Sequence, residues 1–207
     1  MARLSILLAV LLVAATGAVV LMPRDPPPLR AGTDLSPPRG LPAFELVDHR
    51  GAPFNRQSLA GHWSLVFPGF TQCPDICPTT LATLNRLMAQ LDGGAKGMRV
   101  VLLTVDPERD SPEALARYLG YFSNEFIGVT GDAGELARLH AALGITAIRI
   151  PGAGGDYSVD HSAPLLLIDP EGRLAGYFLP PFEAGALAHD LAPRFAAIPI
   201  RRPTTWR

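Results

Sequence analysis

Phe67–Pro78 reads FPGFTQCPDICP, and it contains both cysteines of the 207-residue chain, Cys73 and Cys77. It follows a short apolar run, Ser64–Phe67, and leads into Pro78–Leu91, where Leu81, Leu84, Leu87, Met88 and Leu91 recur at helical spacing. The stretch therefore reads as the end of a strand, a turn rich in Gly and Pro, and a helix that begins near Cys77 with Pro78 at its first position. Cys77 is expected at that helix N-terminus, where unpaired N–H groups and the macrodipole favour a thiolate. Cys73 stands four residues earlier. On a helix-like turn both sulfurs fall on one side, close enough to share a ligand or to form a disulfide. The residues alone leave a redox dithiol and a metal pair both open. Two cysteines in all exclude a four-cysteine zinc site and a multi-bridge scaffold.

Outward from this junction the two regular periods alternate. Ala43–Val47 with a turn around Asp48–Gly51 predicts an initial hairpin. Gly93-Gly94 stops the helix after the cysteines, and Arg99–Val105 is a continuous apolar run of the kind a strand buried on both faces requires. Pro112–Phe122 reads as a helix with Ser111 as N-cap, followed by a strand at Phe126–Val129. Ala133–Leu143 is a helix closed by Gly144, and Thr146–Ile150 is a further strand. Leu165–Ile168 and Arg173–Phe178 flank a DPEG turn, and Glu183–Leu191 is the last helix. With 48% apolar residues the chain can bury a core, so the pattern predicts an α/β domain with a central mixed sheet flanked by helices.

The N-terminal part has a different character. Leu4–Met22 runs nineteen residues without a charge, about 28 Å of helix at roughly 1.5 Å per residue. Its length favours an uncleaved anchor over a cleaved signal peptide, whose apolar region is shorter. Residues 23–42 hold Pro23, Pro26, Pro27, Pro28, Pro37, Pro38 and Pro42 and read as an extended tether. At about 3.1 Å per residue it reaches roughly 60 Å from the bilayer. The expected division is an anchor over 1–22, a tether over 23–42, a folded domain over 43–195 and a loose tail over 196–207. Such a chain is expected to sit in the inner membrane as a single-pass protein with its soluble domain in the periplasm.

Eighteen basic against nineteen acidic side chains leave a formal charge of −1, too little positive field for a general nucleic-acid binder. Lys96 is the single lysine, which argues against Schiff-base chemistry. Two thiolates need a third donor to hold a metal in a defined geometry, and imidazole is a common partner of thiolates on copper or zinc. His140 and His189 fall in helical stretches, and His49 and His62 in turns. His161 lies in VDHSAP, expected as a loop ahead of the Leu165–Ile168 strand. Asp106 follows a buried strand at the carboxyl edge where α/β sheets place their sites. It either tunes the site from behind the ligands or, with Asp110, only shapes the loop and caps the Ser111 helix. Pro164, just ahead of a strand, is a candidate cis-proline.

Three separated blocks, FPGFTQCPDICPTTL, VDPERDSPE and VDHS, together resemble the Sco/SenC family of copper-binding assembly factors over roughly residues 42–195. The resemblance implies a thioredoxin-like fold and copper ligands at Cys73, Cys77 and His161. It implies copper as Cu(I), with Cu(II) as a second state, and service to the binuclear copper site of cytochrome c oxidase. The expected partners are oxidase subunit II or a related copper-site protein, an upstream periplasmic copper donor and the membrane. Two positions depart from the family pattern: Gln72 stands where His is frequent, and Pro68 where an aromatic is common. A strand proline lacks a ladder donor, which bears on the local sheet. Two functions follow, a metallochaperone that is not an enzyme, and a membrane-anchored thiol–disulfide oxidoreductase using Cys73 and Cys77. His161 discriminates between them, because disulfide exchange needs no third ligand. A peroxidase reading is weaker, since no arginine lies in the cysteine loop.

Overall fold

The computed structural model describes residues 26–91 and 98–196. The expected anchor over 1–22, the first tether residues, the Gly93-Gly94 helix stop and the tail beyond 196 lie outside them. Among the described residues, no helix is long and apolar enough to cross a membrane.

The strands in chain order are β1 (Gly32–Gly40), β2 (Glu45–Asp48), β3 (Pro53–Asn55), β4 (Trp63–Gly69), β5 (Met98–Thr104), β6 (Ile127–Thr130), β7 (Ala147–Pro151), β8 (Tyr157–His161), β9 (Leu165–Ile168) and β10 (Arg173–Phe178). The helices are α1 (Arg56–Leu59), α2 (Ile76–Gln90), α3 (Pro112–Gly120), α4 (Ala133–Leu143) and α5 (Ala184–Ala196). Eight strands form one mixed sheet in the order β1-β10-β9-β4-β5-β6-β2-β3, and β7 and β8 pair separately as a ribbon. β4, β5 and β6 run parallel at the centre, while β9 lies antiparallel to β4.

The continuous apolar runs follow from burial on both faces. On β4 and β5, Leu65, Phe67, Val100 and Leu102 pack against Leu81, Leu84 and Leu87 of α2 and Leu187 and Leu191 of α5. The alternate residues Val66, Val101 and Leu103 face Leu136, Leu139 and Leu143 of α4. Each fully buried leucine contributes about 1.5–3 kcal/mol. Local signals set the ends of the helices. Ser111 Oγ accepts from the Ala114 amide at 3.2 Å with Pro112 in the first turn of α3, and Gly144 closes α4 at φ 74°.

Pro68 sits inside the central strand, paired with Leu103. The Gly69 carbonyl accepts from the Val105 amide at 3.0 Å, so Gly69 turns its backbone groups toward β5. Pro68, one residue before, turns its missing donor to the β9 side, beyond Val66–Leu166, the last pair of that ladder.

The tether expectation is corrected. Gly32–Gly40 is not free chain but the edge strand of the main sheet, antiparallel to β10 with its register broken between Asp34 and Arg39. Prolines fit there because an edge strand needs no donors on its outer side and the break takes up the irregular backbone. Side chains of α5 hold the segment down. The Asp190 carboxylate accepts from the Arg30 and Ala31 amides, each at 2.7 Å, and Arg194 pairs with Asp34 at 2.8 Å. The cis X-Pro bonds of the described residues are Ser36-Pro37 and Pro180-Pro181, so Ala163-Pro164 is trans.

Candidate metal centre

The two cysteines and His161 meet at the carboxyl end of β4. The turn after Gly69 brings Cys73 back over the start of α2, and α2 begins at Ile76, with Cys77 and Pro78 next in its first turn. Asp75 occupies the N-cap without a side-chain bond. Instead, Cys73 Sγ accepts from the Cys77 amide at 3.4 Å, so a sulfur takes up one of the orphan donors of the helix. Both cysteines are free thiols, Cys73 9% exposed and Cys77 fully buried.

This arrangement corrects the expectation for Cys77. It sits at the helix N-terminus as expected, but burial, reinforced by the hydrogen bond with Cys73, pushes its thiol well above the usual range. The helix amide reaches Cys73 Sγ, and a backbone hydrogen bond from Phe70 to Cys77 opposes the rise without overcoming it.

His161 lies 4.0 Å from Cys77 Sγ through its Nε2. Its Nδ1 is 2.9 Å from the Ser162 carbonyl, an acceptor, so Nδ1–H donates there and the Nε2 lone pair faces Cys77 Sγ. The ring stands edge-on to Phe70 at 5.8 Å. His161 is also not in a loop, as expected, but is the last residue of β8, paired with Ala147 of the ribbon. Of the other histidines, His49 accepts from the Gly128 amide, and burial, with a smaller effect of His161, lowers the pKa of His140 within α4.

A first-row ion bound to a thiolate at about 2.3 Å and an imidazole at about 2.0 Å bridges up to about 4.3 Å. The 4.0 Å between Cys77 Sγ and His161 Nε2 fits one soft ion between them. Among the described residues, no group of three or more His, Cys, Asp or Glu side chains is placed to hold a metal ion. Cys73 and His161 each lie beside Cys77, and the three do not form a closed ligand set as they stand.

Gly69 keeps this space open. A Cβ there would lie 2.8 Å from Leu102 Cδ1 and 3.1 Å from Cys77 Sγ. The two aspartates of VDPERD are fully buried and touch neither sulfur nor imidazole directly. Asp110 accepts from the Thr71 amide at 3.1 Å, the Thr71 hydroxyl at 2.6 Å and the Thr104 hydroxyl at 2.5 Å, which pins the cysteine loop to β5. Asp106 accepts from the Tyr157 hydroxyl at 2.7 Å and from Arg109 Nε, which ties it to the strand that carries His161. Asp110 thus holds the cysteine loop, and Asp106 the strand that bears His161. Phe70, Thr71, Arg109 and Tyr157 were not singled out by sequence. Of these, only Tyr157 gave a usable signal, since it alternates with Val159 and His161 on one strand face.

Comparison with known proteins now has a geometry to meet. The family model described as SCO1/SenC matches residues 33–195. The chain belongs to the SCO1/SenC family. A putative copper-binding protein of Stutzerimonas stutzeri is 44% identical over 154 residues, covering 74% of this chain and 76% of its own. The structure of Bradyrhizobium japonicum ScoI with copper bound aligns with a TM-score of 0.70 at 32% identity, over 75% of this chain and 99% of that one. BsSco, described as a member of the Sco family of cytochrome c oxidase assembly proteins with a disulfide switch, aligns with a TM-score of 0.63 over 83% of this chain and 98% of its own. At 20% identity that likeness speaks for the fold alone. The central sheet and its flanking helices are the thioredoxin-like Sco fold expected from the sequence.

Proposed function

We propose that this chain is a copper metallochaperone and not an enzyme: it takes up one copper ion through Cys73, Cys77 and His161 and passes it to the binuclear copper site of cytochrome c oxidase. The observation that carries this reading is the approach of His161 Nε2 to Cys77 Sγ while Nδ1 is engaged by Ser162. Copper in Bradyrhizobium japonicum ScoI, and the place of the Sco family among oxidase assembly proteins, support the same reading.

Soft thiolates select Cu(I), and two thiolates with a neutral imidazole leave a net charge of about −1 on the loaded site. The dithiol retains the ion, while His161, on a ribbon apart from the main sheet, is the ligand that yields first. An incoming thiolate or imidazole of subunit II, or of a related copper-site protein, then exchanges stepwise for it. Cu(II) is a second state of the same donors. The oxidoreductase alternative is the weaker one, because disulfide exchange needs no third donor and His161 Nε2 stands 4.0 Å from Cys77 Sγ.

In this reading Leu4–Met22 holds the chain in the inner membrane, with the domain in the periplasm, where an upstream copper donor loads it. The leash is shorter than a free 23–42 tether. Arg194 Nη2 donates to the Pro27 carbonyl at 3.2 Å, and the five residue steps from Met22 to Pro27 span at most about 17 Å. The Arg194 guanidinium also lies over Trp63, the first residue of β4, whereas the cysteines follow its last. Pro27, from which the leash would run, is therefore held at the end of the central strand opposite the cysteines.

The test is a cell carrying His161→Ala. Oxidase copper-site assembly is expected to be lost, while the purified variant still forms and reduces a Cys73–Cys77 disulfide. Full oxidase assembly with this variant overturns the metallochaperone reading.

A further inference from the structure

β7 and β8 form their own two-stranded sheet, so ladder bonds to the main sheet do not set the position of His161. It is set by whatever grips the inward face of β8. Tyr157, Val159 and His161 alternate along that face. Val159 is buried in the core, and Tyr157 is gripped by polar groups. Two guanidinium groups lie over the Tyr157 ring, Arg109 at 3.8 Å and Arg149 at 4.7 Å, and its hydroxyl donates to Asp106.

Arg109 reaches both halves of the site. Its Nη1 donates to the Tyr157 carbonyl at 2.9 Å on the histidine strand and to Gln72 Oε1 at 3.0 Å. Gln72 immediately precedes Cys73. Nε is paired with buried Asp106, which fixes the plane of the guanidinium, and the same group lies 5.9 Å from Phe70, the ring that meets His161 edge-on. We propose that Arg109 is the positioning residue that couples the cysteine loop to the His161 ribbon, so that the third donor stays over the dithiol while this latch is closed and leaves when it opens.

The latch needs no contact with the ion. It sets how long His161 remains in reach, and so the rate at which an acceptor displaces it. A lysine keeps the charge beside Asp106 but lacks the rigid fork that holds Asp106 through Nε while Nη1 serves Gln72 and Tyr157. Gln72 contributes a neutral acceptor where the family pattern often has His. The inference rests on the copper reading for its effect on metal, but the coupling itself is a property of the metal-free chain.

The test uses the full chain in detergent. In the metal-free protein, Arg109→Ala is expected to raise amide hydrogen exchange across 147–161 by about tenfold and to leave β4 and β5 unchanged. In the copper-loaded protein it is expected to keep one ion per chain and release Cu(I) to a chelator about ten- to a hundredfold faster. Its Cu(II) spectrum should move toward that of His161→Ala. Arg109→Lys falls between. Tyr157→Phe, which removes one hydroxyl, shifts the same readouts less and carries the test if Arg109→Ala does not fold. Wild-type exchange in the ribbon with wild-type copper release overturns the latch. A wild-type chain that takes up no copper overturns the metal reading instead, and the exchange experiment then decides the latch alone.

Discussion

Asp110 accepts hydrogen bonds from both the amide and the hydroxyl of Thr71, at 3.1 and 2.6 Å, and thereby fastens the loop that carries Cys73 to the end of β5. A net hydrogen bond contributes about 0.5–1.5 kcal/mol, and leaving a buried donor unpaired costs about 1–3 kcal/mol. Asp110→Ala is therefore expected to lower unfolding stability by about 2–4 kcal/mol, read by urea denaturation of the metal-free chain. Loss of less than about 0.5 kcal/mol would place the loop's anchorage elsewhere.

The same carboxylate predicts a pH dependence. Burial raises the Asp110 pKa above its ordinary value, against the opposing hydrogen bonds of Thr104 and Thr71. A carboxyl with a raised folded-state pKa favours the fold most when protonated. Its contribution is complete below about pH 4 and fades as the pH rises through the folded-state value. The stability of the wild type relative to Asp110→Asn should therefore fall as the pH rises above about 4. A difference that grows with pH would contradict the assignment.

Much of this frame was legible because it is local. Gly144 after an apolar period of 3.6 announces the end of α4, and the RVVLLTV run announces a strand covered on both faces. β1 was hidden because its prolines, read locally, exclude a ladder. Only its place at an edge, held by Asp190 and Arg194 from the far end of the chain, makes it a strand. The cysteines were legible as a pair, and His161 only through the resemblance. The span from Arg109 to Gln72 and Tyr157 joins three segments distant in sequence, and no period encodes it.

The corrected tether predicts a folding boundary. A domain beginning at residue 26 keeps the Asp190 and Arg194 contacts with 27–34, and one beginning at 43 loses β1 entirely. The shorter form is expected to melt several degrees lower, since about 1 kcal/mol corresponds to roughly 2–4 °C at this size. Equal melting temperatures would show that the edge strand adds nothing.

Gly69→Ala tests the packing behind the sulfur. The new methyl would meet Leu102 Cδ1 at 2.8 Å and Cys77 Sγ at 3.1 Å, a strain of about 1–3 kcal/mol. Denaturation should show that loss, and Cu(I) competition with a chelator should show weaker retention because Cys77 is displaced. Unchanged copper retention would mean that Cys77 Sγ is free to move.

The two thiols should differ in reactivity. Cys73 is the more exposed and receives the helix amide, whereas Cys77 is sealed and its thiol pushed up. In single-cysteine chains, Cys77→Ser, which leaves Cys73, should react with an aromatic disulfide reagent about ten times faster than Cys73→Ser. Equal rates would contradict the asymmetry.

The central claim is that Cys73, Cys77 and His161 hold one copper ion together, and X-ray absorption at the copper edge tests it most directly. For the Cu(I)-loaded full chain it should show two sulfur ligands and one nitrogen ligand, with the nitrogen lost in His161→Ala and stoichiometric copper lost in Cys73→Ser or Cys77→Ser. An unchanged ligand shell in His161→Ala, or a full copper complement in either serine variant, would contradict it.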